Sequence, residues 1–135
     1  MKPAEEILGA VGFSVMTVRP GDTALAMGLS DLPIVATSHL LHAMESASIA
    51  ALSEYFDNGE TTFLLSASIT LLASAQVGDE LRANARCTDI QGREITFSCD
   101  IYEGERHIAE AEIKRAAVER VTFLARTAAE SLIKN

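Results

Sequence analysis

From Pro33 to Phe56 the chain reads PIVATSHLLHAMESASIAALSEYF, with no glycine and with proline only at its first position. This is the longest helix-forming run in the sequence, and it predicts a central helix over Pro33–Phe56. Small residues crowd it: Ala36, Ala43, Ser46, Ala47, Ser48, Ala50 and Ala51. Small side chains let a sheet pack closely against a helix, so the rest of the chain is expected to wrap this element. Leu40, Met44, Ala47 and Ala51 form one stripe at helical spacing, and Leu41, Glu45, Ser48 and Leu52 form its neighbour. Glu45 is therefore a carboxylate flanked by apolar and small side chains. Thr37 or Ser38 is expected to cap the helix start, because a short hydroxyl accepts from the free backbone N–H groups there. Asp57-Asn58-Gly59 is expected to end it, with Gly59 as a left-handed stop.

Outside this run the period changes. Residues 3–9 read as a short helical turn stopped by Gly9. Phe13–Val18 alternates as a strand, and Arg19-Pro20-Gly21-Asp22 is a turn. Thr23–Met27 reads as a second short, Ala-rich strand. Beyond the helix, Thr62–Leu72 reads as a mostly buried strand. Glu80–Ile90 and Glu94–Tyr102 alternate cleanly and are joined by a Gln91-Gly92 turn. Arg106–Val118 alternates with one slip near Ile108 and Ala109, expected to mark a bulge. Val121, Leu124, Ala125, Ala128, Leu132 and Ile133 give an amphipathic C-terminal helix. A meander of this length needs one face covered, and the small-residue helix is the available cover. The sheet is left with an open edge that a second copy would pair with.

At 135 residues, a single domain over 1–135 is expected. Cys87 and Cys99 sit in strand-like segments without metal spacing, as reduced core residues of a cytoplasmic protein do. No apolar run reaches the roughly 18–20 residues of a membrane span, and no basic-then-apolar leader opens the chain. A net charge of −8 argues against nucleic acid as a partner. The charge is uneven: residues 1–81 carry two bases against ten acids, and residues 82–135 carry nine of each. An anionic ligand should therefore be gripped by the second half. Asn84, Arg86, Arg93 and Arg115 are its candidate contacts, since arginine forks match phosphate geometry.

Glu45 is the sharpest candidate for chemistry. A carboxylate buried among apolar groups can act as base or nucleophile, whereas one facing water or an arginine is an ordinary helix residue. His39 and His42 are three apart and share a helix side. His42 and Glu45 are also three apart and can pair. No further ligand at metal spacing accompanies the histidines, so no metal is expected. The chain has no phosphate-cradling Gly-rich loop, nucleophile elbow or Cys–His motif, which argues against serine and cysteine hydrolases and nucleotide-phosphate enzymes.

Val35-Ala36-Thr37-Ser38 is followed by Met44-Glu45 within the helix, then by Asn58-Gly59-Glu60, Val77-Gly78, Gln91-Gly92-Arg93 and Lys114-Arg115-Ala116. This ordered set, over Leu32–Phe123, resembles the hotdog-fold thioesterases, and within them the fluoroacetyl-CoA thioesterase type. The resemblance implies an α+β hotdog fold: an antiparallel sheet wrapped around one long central helix, here with an added C-terminal helix. It also implies acyl-CoA chemistry in a homodimer or tetramer, with sites between protomers. Coenzyme A would enter only as part of the substrate, with no other cofactor and no metal.

In that type a hydroxyl at the helix mouth and a helix glutamate act with a strand histidine. The first two carry over to Thr37 and Glu45. The histidine position, seven residues before Gly78, holds Leu71. The implied function is hydrolysis of a short or small acyl-CoA thioester, with Thr37 and Glu45 positioning and activating water. His42 is the candidate replacement for the lost histidine. The backbone N–H groups of Ser38 and His39 would serve as an oxyanion hole. Leu71, Asn84, Arg86, Arg93 and Arg115 complete the candidate substrate contacts. Leu71 also motivates a second reading, a non-catalytic dimer that binds acyl-CoA or another small ligand. A hydratase or dehydratase on the same fold is a third, resting on His39 and His42.

Overall fold

The structure is a computed structural model describing residues 1–133. A short helix α1 (Ala4–Ile7) leads into strand β1 (Val11–Thr17). Gly9, at φ 86°, makes the turn between them. A 3₁₀ turn over Pro20–Asp22 and an irregular loop precede helix α2 (Thr37–Leu52). Strands β2 (Glu60–Leu71), β3 (Glu80–Gln91), β4 (Glu94–Glu103) and β5 (Arg106–Glu119) follow, and helix α3 (Arg120–Ile133) ends the described chain. The five strands form one antiparallel sheet in the order β1-β3-β4-β5-β2, so β1 and β2 are its edges. This is the expected α+β arrangement of a sheet against a central helix.

Helix α2 packs mainly on β1 and β3. One residue of β1 allows the close approach: a Cβ at Gly12 would lie 2.1 Å from the Ala47 carbonyl oxygen and 2.3 Å from the Ala51 nitrogen. The small residues of α2 thus meet the smallest residue of β1, and backbone touches backbone. Nearby, the Ser14 hydroxyl donates to the Ala43 carbonyl at 2.7 Å.

The core lies between α2 and the inner sheet face. Leu40, Met44 and Ala47 of α2 enclose Leu81, Ala83, Ala85 and Cys87 of β3 and Ile95, Phe97, Cys99 and Ile101 of β4. These strand residues are the alternating sets read from the sequence. Enclosing a ring such as Phe97 contributes about 2–3 kcal/mol. Both cysteines are free and buried. Burial raises the Cys87 thiol pKa and pushes that of Cys99 up to about 12. The slip in β5 is a bulge: Ile101 pairs with Ala109 but Tyr102 pairs with His107, leaving the buried Ile108 without a partner on β4.

Several expectations are corrected. The helix begins at Thr37, not Pro33, because Ile34 and Val35 bridge to Gln76 and Thr23 and the Val35 N–H donates to the Ala75 carbonyl. It ends at Leu52, ahead of Asp57-Asn58-Gly59, and Gly59 is not left-handed. Neither Thr37 nor Ser38 caps the helix; Ala36 is the cap residue and offers no side-chain acceptor. Thr23–Met27 is not a strand. The Thr23 hydroxyl accepts the Ala26 N–H, and its carbonyl accepts the Met27 N–H, which coils the segment into turns. Strand β2 is not mostly buried. It is an edge beyond most of the cover of α2, with Leu65 and Leu71 exposed along it and Leu72 just after it. No helix among the described residues is long and apolar enough to cross a membrane.

Candidate active site

Glu45 leans from α2 toward β5, where Arg115 meets it. Arg115 is only 4% exposed, because it follows Ile113 on the inward-facing set of β5. Its Nη1 donates to Glu45 Oε1 at 2.7 Å. Its Nε donates to the Thr62 hydroxyl at 3.0 Å, and Nη2 donates to the Thr62 carbonyl at 3.3 Å. The guanidinium is thereby fixed in its plane between α2 and β2. The Glu45 side chain remains 30% exposed. One of its oxygens is held by the arginine, and none of the hydrogen bonds identified among the described residues occupies the other. A hollow of about 300 Å³, lined by Ile49, Leu52, Phe56, Thr61 and Thr62 among others, shares Thr62 with this cluster.

A larger groove lies elsewhere. A space of about 910 Å³ follows the other flank of α2, against β1, and is lined by Ser14, Arg19, Asp22, Ser38, His39 and His42 among others. Asp22 accepts the Arg19 N–H at 2.9 Å through Oδ2 and turns Oδ1 toward His39 Nε2 at 3.6 Å. The two spaces are distinct, and size does not decide between them. Glu45 lines neither of them; Thr62, which Arg115 bonds, borders the smaller one.

The structure therefore separates the sequence candidates. Glu45 and Arg115 come together. Thr37 is exposed at the first position of α2, two turns before Glu45. Ser38, His39 and His42 belong to the groove beside β1. His42 stands about 60° around the helix from Glu45 and forms no ion pair with it. Asn84 and Arg86 are on the sheet face away from α2, since they alternate with the buried Ala83, Ala85 and Cys87. Arg93, at the β3–β4 hairpin, pairs with Glu60 at 3.4 Å. Arg115 is not free for a phosphate, being enclosed and bonded to Glu45 and Thr62. Leu71 ends β2 on the inner face, opposite the buried Ala109, and is 39% exposed. It is seven residues, or about 23 Å of strand, from Leu64, which lies opposite Arg115. Sequence reading missed the role of Arg115 and the partner of His39. The parity of β5, which puts Ile113, Arg115 and Ala117 on one face, is the signal that finds the first.

A family model described as FlK, fluoroacetyl-CoA-specific thioesterase, matches residues 18–121, which include Thr37, Glu45, Leu71 and Arg115. The chain belongs to this thioesterase family. No sequence among curated proteins matches it significantly. Solved structures agree on the hotdog fold of the family. The fluoroacetyl-CoA thioesterase FlK superposes with a TM-score of 0.81 at 20% identity, over 90% of this chain and 94% of that one. A thioesterase superfamily member from Thermus thermophilus gives 0.85 at 22% identity, with both chains covered at 100%. A hot-dog-like protein from Thermanaerovibrio acidaminovorans gives 0.85 at 17% identity, over 93% of this chain and 95% of that one. A further FlK structure, of a mutant, was solved with fluoroacetate and CoA.

Proposed function

We propose that the chain hydrolyses a short or small acyl-CoA thioester, at a site shared between two copies. Membership of the thioesterase family over residues 18–121 is the observation that carries this reading. The geometry supports it through Glu45, whose carboxylate is held at one oxygen and open at the other. In the proposed reaction Glu45 accepts a proton from water as the water oxygen attacks the thioester carbonyl. The C–S bond then breaks and the thiolate of CoA leaves, taking up a proton to give the free thiol and the carboxylic acid. Thr37 orients the water or the acyl carbonyl from the helix mouth. The distance along β2 between Leu71 and the Arg115 pairing supports a shared site, because the Leu71 position of one chain lies far from its own Glu45. The exposed apolar edge of β2 is the surface for pairing with a second copy.

Leu71 supports a second reading, in which the dimer binds an acyl-CoA without hydrolysing it. Release of free thiol from a panel of short acyl-CoAs separates the two. Turnover that is lost in Glu45→Ala is the expected result. No turnover, with a melting temperature raised by acyl-CoA, favours binding alone.

A further inference from the structure

On the sheet face away from α2, Asp100 of β4 and Glu110 of β5 are paired directly across the strands. Like charges directly opposite are destabilising. Their other cross-strand neighbours are Asn84 and Thr70, neither of them a cation. The β5 bulge turns His107 onto the same face, where its ring stacks on Tyr102 with centroids 4.5 Å apart. His107 Nε2 lies 2.9 Å from Asp100 Oδ1. One donor atom from each of Asp100, His107 and Glu110 lies within 4.8 Å of the other two.

We propose that Asp100, His107 and Glu110 bind one divalent transition-metal ion of the zinc type. Zinc takes imidazole nitrogen and carboxylate oxygen at about 2.0–2.2 Å, so adjacent donors on one ion lie about 3 Å apart. The Asp100–His107 pair already has that spacing, and the stack on Tyr102 fixes the imidazole. Glu110 is exposed and closes the remaining distance by a rotamer change. Coordination at Nε2 uses that nitrogen's lone pair and leaves the proton of the neutral ring on Nδ1. It also places a double positive charge between two facing carboxylates. One imidazole with two carboxylates suits zinc better than magnesium, which prefers oxygen and keeps its waters. The chain reading expected no metal because Asp100 and His107 meet across a hairpin rather than at ligand spacing along one helix. The site is on the opposite sheet face from Glu45, so it is independent of the proposed hydrolysis.

The test is calorimetric titration of Zn²⁺ into the full chain, with Mg²⁺ as control. Saturable binding of a single Zn²⁺ and no binding of Mg²⁺ are expected. His107→Ala and Glu110→Gln should each weaken zinc binding by about tenfold or more. His42→Ala should leave it unchanged, which excludes a rival site built from Asp22, His39 and His42. Absence of saturable zinc binding overturns the proposal. So does parent-like binding in Glu110→Gln, an exposed substitution that does not threaten the fold, and so does loss of binding in His42→Ala.

Discussion

Arg115 Nη1 donates to Glu45 Oε1 at 2.7 Å and so ties β5 to the middle of α2. The arginine is enclosed, and its other two hydrogen bonds end on Thr62. Replacing it with alanine removes three bonds and leaves Glu45 and Thr62 without their partner. Arg115→Ala is expected to cost roughly 2–4 kcal/mol, read as a lower denaturant midpoint with little change in slope. Arg115→Lys restores the charge but not the fork, and should recover only part of the loss.

Gly12 is the point of closest approach between β1 and α2. In Gly12→Ala the new Cβ would lie 2.1 Å from the Ala47 carbonyl oxygen, so the helix must move off the strand. The expected destabilisation is about 3 kcal/mol, measured by urea unfolding. Gly21→Ala is the control, since a Cβ there meets nothing within 4 Å.

Cys99 is held as a neutral thiol by burial, with its pKa pushed up to about 12 from 9.0. The nearby Asp100 charge adds to the shift. A pKa raised by folding contributes stability that is present below the unfolded value and lost as pH rises toward the folded one. Stability should therefore fall through pH 9–12, and alkylation of Cys99 at pH 8 should be far slower in the native chain than in denaturant. Equal rates in the two states would contradict the burial.

Leu71, where the resemblance to the thioesterase type implies a strand histidine, is an exposed, inward-facing position of β2. Leu71→His is expected to raise thiol release from short acyl-CoAs by about tenfold or more. A gain that disappears when Glu45 is also replaced would tie the new imidazole to the same site. No gain in a folded variant would mean that position 71 does not reach the reacting atoms.

Much of this arrangement was legible from residue order. Alternation in β3 and β4 gave their inner faces correctly, because both strands lie under α2 and each has one dry side. The β5 slip at Ile108 showed the bulge for the same reason. Thr62–Leu72 misled because an apolar run cannot say whether its strand is central or at an edge. Pro33–Val35 misled because bridges to Thr23 and Gln76, distant in sequence, override local helix preference. The Glu45 partner was hidden in another way. Arg115 read as one of several strand arginines suited to an anionic ligand, and only its parity with Ile113 and Ala117 marks it as inward. Asn84 and Arg86 fall on the opposite parity, which places them away from α2.

Thiol release measured for the parent chain and for Glu45→Gln, over a panel of short acyl-CoAs, tests the central claim most directly. Glutamine keeps the shape and an oxygen for Arg115 but cannot take a proton. The account predicts turnover of at least one short acyl-CoA by the parent, reduced by about 100-fold or more in Glu45→Gln with the fold intact. Equal turnover in both chains would contradict the assignment of Glu45 as the base.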